Sequence, residues 1–250
     1  KKFSSDSVIA ELIHLFLHRE FAALKSRIST MLIDETYQDS YIAENLQQGQ
    51  AQQKIYEIII AKSLDAFLNY FYSAASELLE KAKSMLRNLK EITELESDPG
   101  IWWVVRLLLL ISEGFGQASL WNSLSPYFDL DNPQVRGYIK SLVYMQPRGI
   151  YELFVTQRRS MEKVLNNQNG CIVSIPTSSG KTRIAELAIL DCLMEDPDNK
   201  VLYIAPFRSL AFEVENSLAP ILENASISVS HLYGGSLFSK LDEKVIEDSD

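Results

Sequence analysis

Apolar residues recur in steps of three and four along most of the first 148 positions. Ile9, Leu12, Ile13, Leu15 and Phe16 share one side of a helix over Val8 to Leu17. A second block begins near Ile55. Leu64, Phe67, Leu68, Phe71, Ala75, Leu78, Leu79, Ala82, Leu86 and Leu89 keep the same rhythm there and predict an amphipathic helix or a helical hairpin. No Gly or Pro stands between Gln50 and Asp98, so nothing marks a break inside the block. Asp98-Pro99-Gly100 predicts a stop and a turn. A third helical block runs from Ile101 to about Leu124. Its apolar core, Ile101 to Ile111, is interrupted by Arg106 and falls short of the roughly 20 residues of a membrane span, so a buried helix is expected. Ser125-Pro126 and Asp131-Asn132-Pro133 then punctuate the chain.

The pattern changes after Pro147-Arg148-Gly149. Cys171 to Ile175 is a short β-branched run closed by Pro176. Thr182 to Met194 carries a helical stripe. Val201 to Ala205 is an apolar run closed by Pro206, Ser209 to Leu222 is helical again, and Ser226 to Tyr233 alternates. Strand, helix, strand, helix, strand predicts a parallel sheet with helices on its faces. The expected organisation is therefore an α-helical domain over 1–148, followed over 149–250 by part of an α/β domain.

Composition narrows the class. Apolar residues make up 46% and charged residues 23%, enough to build a core, which excludes a disordered chain. The net charge of −9 and pI near 5.0 argue against a domain that coats nucleic acid by bulk charge, but leave room for a motor that grips a strand in a local cleft. Cys171 and Cys192 form no CxxC or Cys/His cluster, so two reduced core thiols in a cytoplasmic protein are expected. No signal peptide is visible at Lys1-Lys2-Phe3.

The stretch with most chemical content is Ile175-Pro176-Thr177-Ser178-Ser179-Gly180-Lys181-Thr182. It lies between a predicted strand and a predicted helix, the setting of a phosphate-binding loop. Successive main-chain amides and a helix N-terminus gather a polyphosphate. Gly180 permits close approach, Lys181 supplies a cation, and the Thr182 hydroxyl is a natural Mg²⁺ ligand. Ile175 stands where the strict pattern has Gly.

Pro-Thr-Ser-Ser-Gly-Lys-Thr resembles motif I of the superfamily II helicases, above all the Ski-type and Hel308-like branch. Three further segments extend the resemblance. Glu152 to Gln157 is similar to the Q motif, and Gln157 precedes Lys181 by 24 residues. The resemblance implies that Gln157 reads adenine through an amide that both donates and accepts. Ala205-Pro206-Phe207-Arg208-Ser209-Leu210-Ala211 resembles motif Ia, implying that Pro206, Arg208 and Ser209 meet a nucleic-acid backbone. His231-Leu232-Tyr233-Gly234-Gly235-Ser236 resembles the glycine-doublet motif, giving Gly234 and Gly235 the same task. His231 is expected to be a strand-end residue.

These matches cover about residues 149–250. They imply a RecA-like motor domain that takes ATP and Mg²⁺ and holds a single strand of DNA or RNA in its cleft. No Asp-Glu-x-His or Asp-Glu-x-Asp box occurs, and Leu241-Asp242-Glu243-Lys244 is not assigned that role. The chain is expected to stop ahead of that box and of a second motor domain, and to bind ATP without efficient turnover or unwinding by itself.

Residues 1–148 carry no catalytic pattern. His14 and His18 sit four apart without a carboxylate to complete a metal site. Trp102, Trp103 and Trp121 read as packing residues. Some bacterial anti-phage defence helicases place a helical domain before such a motor, and this chain resembles them, which makes the helical region a candidate docking module for a protein partner. No membrane is implied. Two functions stand at this point: a helicase or translocase driven by ATP hydrolysis, and a helical interaction module joined to an ATP-sensing switch without unwinding activity.

Overall fold

The computed structural model describes residues 7–146, 148–165, 167, 170–176, 179–196, 198–232 and 244. The chain divides into two compact units, Lys1–Gln117 and Ala118–Asp250.

Among the described residues, the first unit is built from six α-helices. Helix α1 (Val8–Leu17) starts at Ser7, whose hydroxyl accepts from the Ala10 amide at 3.2 Å, and buries Ile9, Leu12 and Phe16. Helix α2 is Phe21–Ile33. A 3-10 turn, Glu35–Tyr37, and the short α3 (Asp39–Asn45) lead into α4 (Gln48–Ser73). The glutamines at 47–53 open that helix through a reciprocal cap between Gln47 and Gln50. Helix α4 is the spine of the unit. It buries Ile60, Leu64, Phe67, Leu68 and Phe71 completely or nearly so.

The long apolar block proves to be a hairpin. Helix α4 ends at Ser73 and α5 (Ser76–Leu95) begins three residues later. Ala74 makes the turn with φ +66°, while its amide still donates to the Tyr70 carbonyl at 3.0 Å. Asp98 caps α6 (Pro99–Ala118) by accepting from the amides of Gly100 and Ile101, both at 3.1 Å. Its 20 residues and mean hydropathy of 1.2 make α6 long and apolar enough to cross a membrane by length and composition alone.

The expectation of a buried helix over Ile101–Ile111 is corrected. Only Val105, Leu108, Ser112 and Phe115 of α6 are buried, while Trp103, Leu107 and Leu110 are exposed. The steps of three and four between the buried positions give one narrow stripe, because a helix packed on one side hides only that side.

The second unit begins with α7 (Leu120–Leu124), capped by Ser119, and α8 (Pro133–Val143), capped by Asn132 with Pro133 in its first turn. Helix α9 is Val155–Val164, α10 is Lys181–Glu195 and α11 is Arg208–Glu223.

The predicted parallel sheet, and the RecA-like α/β domain with it, is not formed among the described residues. Residues 171–176, 201–205 and 227–232 carry no strand, and one antiparallel bridge, Ser119 with Glu152, is the β-pairing present. Local β-propensity reflects a fit to a pleated, half-covered surface, so it yields a strand only where a neighbour pairs with it. Here Ile172, Leu202 and Ile204 are at least 78% exposed. Residues 200–203, 205 and 227–232 instead line an apolar cavity of about 400 Å³ together with Leu193 of α10 and Leu218 of α11.

Candidate functional site

The phosphate-loop motif leads into α10. Ser179 donates its amide to the Pro176 carbonyl at 3.3 Å; Thr177 and Ser178 lie outside the described residues. Gly180 is the N-cap of α10 with φ +75° and ψ +45°, a left-handed backbone that costs a side-chain-bearing residue about 1–2 kcal/mol. No side chain caps this helix end. Lys181 and Thr182 stand exposed on its first turn. The first-turn amides, one ammonium and one hydroxyl are therefore gathered at one helix N-terminus, the donor set that polyphosphate and a hard cation require. On that ground the residues fit ATP with Mg²⁺.

Gln157, on the first turn of α9, is 5% exposed. Its Nε2 donates to the Gly180 carbonyl at 3.2 Å, and its Oε1 accepts from the Phe154 amide at 2.8 Å. The structure thus brings Gln157 onto the glycine of the loop. A Cβ at position 180 would overlap the Gln157 carboxamide, so glycine is required here on two counts, backbone conformation and space.

Pro206 is exposed just ahead of α11. Arg208 opens that helix, Ser209 follows it, both are exposed, and no side chain caps the helix at Phe207. Gly234 and Gly235 lie outside the described residues, as do residues 241–243. His231 pairs through Nδ1 with Glu215 of α11 at 2.7 Å. Cys171 is exposed rather than part of a core, and Cys192 is half-buried; both are reduced. Of the tryptophans, Trp121 is 3% exposed, whereas Trp103 is 65% exposed. The rings of His14 and His18 lie 4.0 Å apart, and no cluster of three metal-binding side chains occurs among the described residues.

A buried polar network beside the loop was not foreseen. Glu186 of α10, 2% exposed, is ion-paired with Arg183 on the same helix and accepts from the Tyr138 hydroxyl of α8 at 3.0 Å. Burial pushes the Glu186 carboxyl above its usual range against the pull of the Arg183 charge. Burial and the Glu186 charge push the Tyr138 phenol upward as well. In the sequence Arg183 and Glu186 read only as an i,i+3 pair on a helix surface.

Residues 155–250 match the DEAD/DEAH box helicase family. Over nearly its whole length the chain is similar to Hachiman protein HamB of Bacillus cereus, with 36% identity over 244 residues, 98% of this chain and 21% of that protein. It is also similar to ATP-dependent DNA helicase Hel308 of Pyrococcus abyssi, 41% identical over 69 residues (28% of this chain, 10% of Hel308). ATP-dependent DNA helicase MER3 of Saccharomyces cerevisiae is 36% identical over 89 residues, 33% of this chain and 8% of MER3. The chain spans about a fifth or less of the length of these relatives.

Proposed function

We propose that the protein is an ATP-dependent nucleic-acid helicase or translocase acting in anti-phage defence, and that residues 176–182 hold its nucleotide. The single observation that carries this reading is the Gln157–Gly180 contact. It joins the two segments that the helicase resemblance assigns to one ATP site, in a chain whose C-terminal part matches that family.

The α10 N-terminus receives the phosphates on its amides and on those of Pro176 to Gly180 that carry an N–H. Lys181 neutralises the β- and γ-phosphates and Thr182 holds Mg²⁺. Mg²⁺, when bound, offsets charge on the transferred phosphoryl group. Adenine meets Gln157 through the second N–H and the second oxygen lone pair that the bonds to Gly180 and Phe154 leave on its amide. Adenine occupancy is thereby tied to the position of the loop glycine. Pro206, Arg208 and Ser209, with Gly234 and Gly235, contact the backbone of one DNA or RNA strand. A protein partner docks on the helical region. Hydrolysis and strand movement need groups beyond those named here.

The test is ATP turnover by the full-length protein with and without single-stranded DNA or RNA. Stimulation by nucleic acid that disappears in Lys181→Ala, with the fold intact, is the expected result. Turnover indifferent to nucleic acid but altered by a protein partner favours the ATP-sensing switch instead. Unwinding that survives Lys181→Ala refutes the site.

A further inference from the structure

Helix α8 lies ahead of the helicase-matched residues, yet it touches both helices that carry the candidate contacts. Toward α11 the approach is backbone to backbone. A Cβ on Gly137 would come 2.8 Å from the Asn224 carbonyl oxygen and 3.0 Å from the Ala225 Cα. One turn further on, the Ser141 hydroxyl lies 3.3 Å from the Ile221 carbonyl. Those contacts seat α8 against the C-terminal end of α11.

Toward α10 the contact is polar and buried. Tyr138 has no exposed surface, and its hydroxyl donates to Glu186 at 3.0 Å. Glu186 holds the Arg183 guanidinium. The Arg183 amide donates to the Gly180 carbonyl at 3.1 Å, and that carbonyl also accepts from Gln157 at 3.2 Å. A continuous hydrogen-bonded path therefore runs Tyr138, Glu186, Arg183, Gly180, Gln157. It passes through the first turn of α10, where Lys181 and Thr182 sit. A buried carboxylate holds its geometry only while its partners remain, because a missing partner leaves a desolvated charge.

We propose that Tyr138 is a positioning residue for the nucleotide site: through Glu186 and Arg183 it fixes the first turn of α10, and hence where Gly180, Lys181 and Thr182 meet the phosphates. This rests on the nucleotide reading above. Tyr138 touches no phosphate. It holds the carboxylate that holds the arginine.

The experiment measures ATP turnover and thermal unfolding in the full-length protein for Tyr138→Phe, Glu186→Gln, Ser141→Ala and Lys181→Ala. Tyr138→Phe keeps the ring and removes one hydrogen bond to a charged group, so KM for ATP should rise roughly five- to tenfold with little change in kcat. Glu186→Gln should shift KM in the same direction, and adding Tyr138→Phe to it should bring little more, because the two act in series. Glu186→Gln also carries the test if Tyr138→Phe fails to fold. Ser141→Ala removes hydroxyl contacts to the Tyr138 and Ile221 main-chain carbonyls but leaves the Tyr138 phenol on Glu186, so it should lower the unfolding temperature without moving KM. The role of Tyr138 is overturned if Lys181-dependent turnover persists with KM unmoved in Tyr138→Phe, or if Ser141→Ala moves KM as far. If turnover does not depend on Lys181, the nucleotide site itself is wrong, and this role falls with it.

Discussion

Gln157 and Gly180 stand 23 residues apart and meet through one hydrogen bond, from the glutamine Nε2 to the glycine carbonyl at 3.2 Å. The contact uses one of the two N–H groups of the amide, and the Phe154 amide donates to its oxygen. The residue that the helicase resemblance assigns to adenine is therefore a structural tie between α9 and the start of α10.

Gly180→Ala tests that tie. The new methyl group overlaps the Gln157 carboxamide and sits on a backbone with φ +75°. Conformational strain of about 1–2 kcal/mol adds to the loss of a hydrogen bond of about 1 kcal/mol. The expected outcome is a lower unfolding temperature together with loss of binding to a fluorescent ATP analogue. An alanine variant that binds the analogue as the wild type does would show that the tie has no bearing on the site.

Helices with a strong three-and-four rhythm were legible in the sequence, and the structure places α1 over the residues from Val8 to Leu17. The break in the second block was not, because Ala74 takes φ +66° without any of the residues that favour that conformation. The exposure of Trp103, Leu107 and Leu110 was equally hidden, since an apolar run does not say how many of its sides find neighbours. The sheet was inferred from propensity at Ile172, Leu202 and Ile204, and propensity supplies no partner strand. At the site, the helicase resemblance assigned the segments of Gln157 and Lys181, 24 residues apart, to one ATP site. Glu186 escaped notice because its burial depends on Tyr138, 48 residues upstream, and no local pattern encodes that distance.

Arg208 offers a second check on the proposed function. It is exposed at the start of α11, beside first-turn amides that no side chain caps. A phosphate contact from such a position is electrostatic and independent of base sequence. Arg208→Ala should weaken single-strand binding at low salt by roughly tenfold and reduce the slope of log affinity against log salt by about 1. Fluorescence anisotropy over a salt series reads both. An unchanged slope would remove Arg208 from the interface.

The first unit holds a separate buried pair. The Tyr37 hydroxyl donates to Glu57 at 2.7 Å, and Lys54 lies 3.6 Å from that carboxylate and 3.7 Å from the centre of the Tyr37 ring. Tyr37→Phe should cost about 2 kcal/mol, the loss of a hydrogen bond to a charged group. Burial, then the bond to Glu57 and its charge, raise the Tyr37 phenol above its ordinary value of 10.0. A raised value means that the folded chain keeps a proton that the unfolded chain gives up. The stability from Tyr37 is thus complete below pH 10 and falls as the pH rises beyond it. The gap between wild type and Tyr37→Phe in denaturant midpoint should stay constant from neutral pH to about pH 9 and narrow above pH 10. A gap that widens above pH 10 would contradict this sign.

Phe115 decides whether α6 stays packed. Four residues of that helix are buried, and Phe115 is the one whose ring reaches the aromatic cluster of α1 and α4. Its centroid lies 4.8 Å from Phe71, 5.8 Å from Phe16 and 5.9 Å from Phe67, each in an edge-to-face arrangement. Removing the ring forfeits its burial and three edge contacts, and leaves a cavity among residues that are themselves well packed. The usual cost of such a truncation is about 3–5 kcal/mol. Phe115→Leu refills much of the space and should cost less than half as much as Phe115→Ala. Because so little of α6 is otherwise covered, the loss should fall on that helix first. Hydrogen exchange across Pro99–Ala118 should accelerate in Phe115→Ala before exchange in α4 does. Equal acceleration in both helices would mean that α6 and α4 open as one cooperative unit, and that Phe115 is not what holds α6 in place.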